Sequence, residues 1–288
     1  MAVKHLYFAY GSNMDREDWT RWCEKRGLDP SGLVRIGQAW LPDYILKFHY
    51  YSSSRKGGAA DVVPSVRGTA VPGLLFEVDG DMLATLDIKE GAPHVYEQTP
   101  VQIIDGDGML KEAITYTVSA SRISDTYVEP THEYTELIRR SLISNNLPIE
   151  HLKNAIENNT SKPFLETVFV YGTLREGELR FQTMNELSTK REIGTVRATL
   201  YDHGAYPGLS PEGTTEVVGE VSHCSDISHA LKILDQIEGF YSYGQQDNLY
   251  YRSIIKVLLN GEARWAWTYI TNIPSDRTII ASGDWKNR

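Results

Sequence analysis

The chain has 288 residues, 41% hydrophobic and 23% charged, with a formal net charge of −9, long enough for two domains with separate cores. The acidic balance, and the absence of any Lys/Arg cluster interleaved with aromatics, speak against a nucleic-acid partner. The start Met1-Ala2-Val3-Lys4-His5-Leu6 lacks the apolar core of a signal peptide and no run reaches the length of a membrane span, so a cytoplasmic location without membrane attachment is expected.

In chain order, the aromatic run Leu6-Tyr7-Phe8-Ala9-Tyr10 favours a strand and stops at Gly11-Ser12-Asn13. Glycine there permits positive φ and close approach of a ligand, and consecutive turn amides can converge on a carboxylate or oxyanion. The plainer alternative is an ordinary strand-to-turn junction. From Met14 to Cys23, acids come early and bases late, with Trp19, Trp22 and Cys23 at helical spacing, which predicts a short helix ending near Gly27. Arg21, Lys25 and Arg26 share that neighbourhood with Glu24 and read as its solvated face. Val34 to Tyr51 reads as strands broken at Pro42-Asp43. The small, polar stretch Ser52 to Ala60 reads as a flexible surface loop, or as a loop lining a pocket. A strand over Val71 to Val78 is followed by a helix over Met82 to Lys89 that ends at Glu90-Gly91. Strands resume near Tyr96 to Ile104 and Ala113 to Val118. Pro130 to Asn159 has helical spacing, and Asn158 to Pro163 is the clearest interdomain break.

The second half repeats this order. Val168-Phe169-Val170-Tyr171 stops at Gly172-Thr173-Leu174, Val217 to Val221 matches Val71 to Leu75, and a helix over Ala230 to Ile237 ends at Glu238-Gly239. Leu-Asp-x-x-Glu-Gly therefore occurs at Leu86 to Gly91 and at Leu234 to Gly239. Tyr250 echoes Tyr96, and Thr268-Tyr269 echoes Thr115-Tyr116. Duplication explains a shared order of this kind, with a repeat long enough to be a domain. Cys23 and Cys224, one in each half, make a disulfide framework improbable and carry no nucleophile or metal-ligand motif. The glutamates that end the two helices are either exposed and inconsequential or, if partly buried, bases strengthened by burial and by the helix C-terminus.

These residues carry a family resemblance. Tyr10-Gly11-Ser12-Asn13 with Leu86 to Gly91 resembles the γ-glutamylcyclotransferases. Tyr171-Gly172-Thr173-Leu174-Arg175 with Leu234 to Gly239, together with Tyr206-Pro207 and Ser282-Gly283-Asp284-Trp285, resembles the γ-glutamylamine cyclotransferase branch, and the tandem arrangement is similar to the YkqA-type bacterial proteins. In that branch an asparagine often follows the turn, where this chain has Glu178-Leu179-Arg180-Phe181 and a later Asn185.

The resemblance implies an α+β fold of two tandem γ-glutamylcyclotransferase-like domains, 1–160 and 166–288, each a small mixed β-barrel with flanking helices. It implies a cofactor-free and metal-free reaction on a small γ-glutamyl substrate that releases 5-oxoproline. Glu90 and Glu238 would be the catalytic groups, and Tyr10, Gly11, Ser12, Asn13, Tyr171, Gly172, Thr173 and Leu174 the substrate-binding residues. A non-catalytic binding protein that keeps the fold is the alternative, and a third is an interaction protein that uses the repeat as a paired surface. The oligomeric state is left open.

Overall fold

The computed structural model describes residues 3–160, 162–272 and 277–288. Met1 and Ala2 of the chain start and Ser161 of the expected break lie outside the described residues. The chain divides into two compact units, residues 1–106 with 111–164 and residues 107–110 with 165–288.

The first unit begins with β1 (Lys4–Ala9), a single 3-10 turn (Ser12–Met14) and α1 (Arg16–Glu24). It continues through β2 (Val34–Pro42), β3 (Tyr44–Ser52), β4 (Gly57–Pro64), β5 (Ala70–Asp79), α2 (Gly80–Glu90), β6 (Tyr96–Asp105) and β7 (Leu110–Val118), and ends in α3 (His132–Ser144) and α4 (Glu150–Ile156). Strands β1-β5-β2-β6-β7 close into a barrel through a parallel pairing of Tyr7 with Ile114. Phe8, Trp40, Leu75, Val78 and Ile103 are buried in its core, where aromatic and β-branched side chains suit a closed pleated surface.

Of the two readings of Ser52 to Ala60, the flexible surface loop gives way to the tip and second strand of a hairpin, β3 with β4, with Ala59 and Ala60 buried, while in the same stretch Ser52, Ser53, Ser54, Arg55 and Ala59 do line a cleft, as the other reading has it. Its small residues are explained by crowding rather than mobility. The Gly58 amide donates to the Glu129 carbonyl, and a Cβ at Gly58 would stand 2.1 Å from the Val128 carbonyl oxygen.

The second unit comprises β8 (Thr167–Val170), α5 (Phe181–Leu187), β9 (Lys190–Asp202), β10 (Pro207–His223), α6 (Ile227–Glu238), β11 (Tyr250–Leu259), β12 (Glu262–Thr271) and β13 (Thr278–Ile279). Strand order is β10-β8-β12-β11-β9-β13, and β9 also pairs with β10, so the first five strands join in a ring with the connectivity of the first barrel. The parallel pairing of Val168 with Trp267 repeats that of Tyr7 with Ile114. Where the first unit has a separate β3–β4 hairpin, the second has one long β9–β10 hairpin with a register shift between Ser210 and Thr215.

Both long helices before the glutamates start and stop alike. Asp79 and Asp226 cap α2 and α6 by accepting from the Met82 and His229 amides, each at 2.9 Å, which satisfies an otherwise orphaned donor. Gly91 and Gly239 end them in the left-handed conformation, φ 67° and 63°; a side chain is strained there.

Candidate active site

In each barrel, one turn after the first strand and one helix end meet at the mouth. The Tyr10 hydroxyl crosses to donate to the Tyr116 carbonyl at 2.5 Å, and Tyr171 does the same to Tyr269 at 2.7 Å. The Thr115 and Thr268 hydroxyls donate back to the Phe8 and Phe169 carbonyls at 2.9 and 3.0 Å. Tyr116 and Tyr269 donate in turn to Asp87 and Asp235, each at 2.7 Å. In the repeated Leu-Asp-x-x-Glu-Gly sequence, the aspartate thus locks the helix to the barrel. The glutamate, three residues later and on the same helix face, is carried into the cavity.

Gly11 does not adopt positive φ. Its backbone lies at φ −110°, ψ −148°, and Gly172 is likewise outside the left-handed region. At Gly172 the requirement is space, because a Cβ would fall 2.4 Å from the Pro207 Cγ. The turn amides follow one pattern in both units. Met14 and Arg175 close the turn on the glycine carbonyl at 3.1 and 3.0 Å. The amides of Gly11, Ser12 and Asn13, and of Gly172, Thr173 and Leu174, have no protein acceptor among the described residues.

In the first unit, Gly11, Ser12, Asn13 and Glu90 line one cavity with Tyr7, Tyr10, Tyr96 and Tyr134. Asn13 Nδ2 donates to Glu90 Oε1 and to the Tyr7 hydroxyl, each at 2.8 Å, while the buried Asn13 Oδ1 has no partner among the described residues. Burial raises the Glu90 pKa above the usual carboxylate value, opposed by Lys89, the Asn13 hydrogen bond and Arg55. Burial also lifts the Tyr134 pKa to about 12, so this phenol stays protonated at neutral pH. Arg55, at the β3–β4 tip, donates to Ser12 Oγ at 3.0 Å and to Asp18 at 2.8 Å, tying the glycine turn to α1.

In the second unit, Gly172, Thr173, Leu174 and Glu238 line a cavity with Arg180, Tyr206, Tyr250 and Tyr269. Leu174 stands where the first unit has Asn13, and Val168 where it has Tyr7. Glu238 consequently accepts no side-chain hydrogen bond among the described residues. Burial pushes its pKa up to about 7, with Arg180 pulling the other way. A value near 7 suits a group that must both take and give a proton. Arg180 lies in the segment where the related branch often carries an asparagine.

Each turn and glutamate singled out in the sequence is therefore brought together within its own unit. Sequence alone gives no site role to Tyr134 or Arg180, while Arg55 lies in the Ser52 to Ala60 stretch for which lining a pocket is one of the two readings. Tyr134 comes from α3, which has no counterpart in the second half, so repetition gave no signal for it. Among the described residues no group of three or more His, Cys, Asp or Glu is placed to hold a metal ion, and no helix is long and apolar enough to cross a membrane.

The sequence profile of the family described as gamma-glutamyl cyclotransferase, AIG2-like, matches residues 7–136 and again 168–287. The chain belongs to this family and contains its domain twice. It is 35% identical over 124 residues to the gamma-L-glutamyl-butirosin B gamma-glutamyl cyclotransferase of Niallia circulans, covering 43% of this chain and 77% of the relative. It is 29% identical over 122 residues to the gamma-glutamylcyclotransferase family protein YtfP of Escherichia coli, covering 42% and 96%. Among solved structures, YkqA from Bacillus subtilis aligns over 93% of this chain and 84% of its own, at 16% identity and a TM-score of 0.38.

Proposed function

We propose that the chain releases 5-oxoproline from γ-glutamyl peptides or amines by intramolecular aminolysis, each of residues 1–160 and 166–288 acting as its own unit. The observation that carries this reading is the repeated pairing of a desolvated glutamate with a glycine turn whose amides lack acceptors. The relative from Niallia circulans is named for the same reaction class on γ-L-glutamyl-butirosin B.

The substrate α-ammonium first gives a proton to Glu90 or Glu238. The freed amine attacks its own γ-carbonyl carbon, forming the ring C–N bond and a tetrahedral oxyanion. The turn amides stabilise that oxyanion, each such donor being worth roughly 3 to 4 kcal/mol. The glutamate gives that proton to the leaving nitrogen as the original C–N bond breaks, then takes the second proton from the ring nitrogen, which becomes the lactam N–H, and passes it to the departing amine. Products are 5-oxoproline and the amine in its ammonium form, two protons of the α-ammonium having moved to the leaving nitrogen, so the atoms and charge balance without a co-reactant. Because nucleophile and electrophile belong to one molecule, oriented binding exploits an effective molarity of order 10⁵ to 10⁸ M.

The test is 5-oxoproline release from a panel of γ-glutamyl dipeptides and γ-glutamylamines by wild type, Glu90→Gln, Glu238→Gln and the double variant. Glutamine keeps the shape and removes the base, so each single change lowers kcat of its own unit by about 10² to 10⁴-fold with binding largely kept. Glu90→Gln is expected to remove the main activity and Glu238→Gln one on γ-glutamylamines. Wild-type turnover in the double variant would overturn the glutamate mechanism. No turnover by wild type on any substrate would return the chain to the class of binding proteins.

A further inference from the structure

The cavities that hold the turn and the glutamate are both small, about 30 Å³ in the first unit and about 70 Å³ in the second, but in the first unit Ser12, Glu90, Tyr96 and Tyr134 also line an adjoining cleft of about 520 Å³. The charge on the cleft wall runs against that of the chain. With the protein at −9 overall, the cleft is lined by Arg21, Lys25, Arg26, Arg55 and Lys89, five cations, against the two carboxylates of Asp18 and Glu90. Asp18 is already engaged by Arg55 at 2.8 Å and Lys89 at 3.5 Å.

The other three cations come from the end of α1 and the turn after it, and all are exposed. Arg21 and Lys25 form no ion pair among the described residues, and Arg26 rests over the Trp22 ring, its guanidinium carbon 4.3 Å from the centroid. The second unit has nothing comparable. Its cavity is mostly aromatic and aliphatic with Arg180 as its one lining cation, and Ile237 replaces Lys89. Cations held without counter-ions around a solvent-filled concavity focus field on whatever anion enters it.

Resting on the cyclotransferase reading, we infer that the α1 cations are a specificity device of the first unit, selecting γ-glutamyl peptides whose leaving portion is itself acidic. The γ-glutamyl moiety occupies the cavity of Glu90 and the glycine turn. The leaving portion extends through the cleft, where its carboxylates meet Arg21, Lys25 and Arg26. A leaving portion with a second carboxylate gains over its neutral isostere, and a cationic one is disfavoured.

The experiment compares γ-Glu-Glu with γ-Glu-Gln, nearly identical in shape, in two readouts on the full chain: kcat/KM for 5-oxoproline release, and affinity by calorimetry with Glu90→Gln, which does not depend on turnover. Each contact between exposed charges is modest, so three together favour γ-Glu-Glu by about tenfold at low salt. The preference shrinks towards unity near about 1 M salt, where the screening length is ~3 Å, and also in the Arg21→Gln/Lys25→Gln/Arg26→Gln variant. Equal affinity for the two peptides, or a preference that survives both high salt and the triple substitution, overturns the inference. A calorimetric preference that collapses in the triple variant, without turnover of either peptide, supports the cleft assignment and leaves the enzymatic reading to the wider substrate panel.

Discussion

Asn13 donates to Glu90 Oε1 at 2.8 Å from the same amide nitrogen that reaches the Tyr7 hydroxyl. The duplicated unit has dissolved this anchor into two apolar residues, Leu174 and Val168. A hydrogen bond to a carboxylate favours its charged form, so Asn13 keeps Glu90 more acidic than burial alone would. Asn13→Leu, which copies the second unit, is expected to raise the Glu90 pKa and move the acidic limb of the first-unit pH–rate profile to higher pH. The profile of kcat/KM against pH for the variant and wild type checks this. An unmoved limb would mean that the titrating group is not Glu90.

Spatial crowding separates the two turn glycines. A Cβ on Gly172 meets Pro207 Cγ at 2.4 Å and Cδ at 2.8 Å, whereas one on Gly11 meets nothing nearer than the Tyr134 hydroxyl at 3.5 Å. Gly172→Ala should cost about 1 to 3 kcal/mol through overpacking and lower the activity of the second unit. Gly11→Ala should cost distinctly less. Thermal unfolding of both variants, alongside turnover on both substrate classes, makes the comparison.

The aspartates of the repeated motif differ in what they hold. Asp235 is buried and accepts from the Tyr269 hydroxyl and from the Arg252 guanidinium at 2.9 Å, with Arg252 0% exposed. Asp87 accepts from Tyr116 and from the neutral Gln98. Removing one partner of a buried ion pair typically costs about 3 to 5 kcal/mol. Asp235→Asn should therefore destabilise far more than Asp87→Asn, as read by denaturant titration. Equal midpoints would show that the Arg252 pair contributes nothing net.

Much of this is legible in the sequence alone, because duplication makes weak signals strong. Neither Tyr-Gly turn would have been distinctive by itself, nor would a glutamate ahead of a helix-ending glycine. Two copies in one order placed Tyr10 with Glu90 and Tyr171 with Glu238. The strand-to-helix alternation read well because the apolar periods and the capping residues Asp79, Gly91, Asp226 and Gly239 agree. Tertiary context adds what local pattern does not carry. Ser52 to Ala60 looks like a loop because nothing local shows that the Val128 backbone passes over Gly58 and excludes side chains. The glycine of each turn permits either positive φ or close approach, and only the fold shows that at Gly172 it is close approach, to Pro207, distant in sequence. Arg21, Lys25 and Arg26 do lie exposed on and just after a helix, yet only the fold shows that their surface is the wall of a cleft leading to Glu90.

Glu238 links function to stability with a definite sign. Burial raises its pKa from the ordinary 4.5 to about 7, so the folded unit holds a proton over a range in which the unfolded chain has released it. The stabilising contribution of that proton is complete below about pH 4.5, and it is lost as pH rises through about 7. Catalysis runs the opposite way, since the carboxylate must be free to accept the ammonium proton, so activity at this site rises across the interval in which the unit loses stability. Glu238→Gln cannot ionise. Its second-unit unfolding free energy should therefore change less between pH 5 and pH 8 than that of wild type, the interval spanning the folded value of about 7. Denaturant titrations at a series of pH values, followed by a probe in the second unit, make the test. Parallel curves for wild type and variant would mean that Glu238 titrates near its unfolded value and is not the desolvated base proposed for this unit.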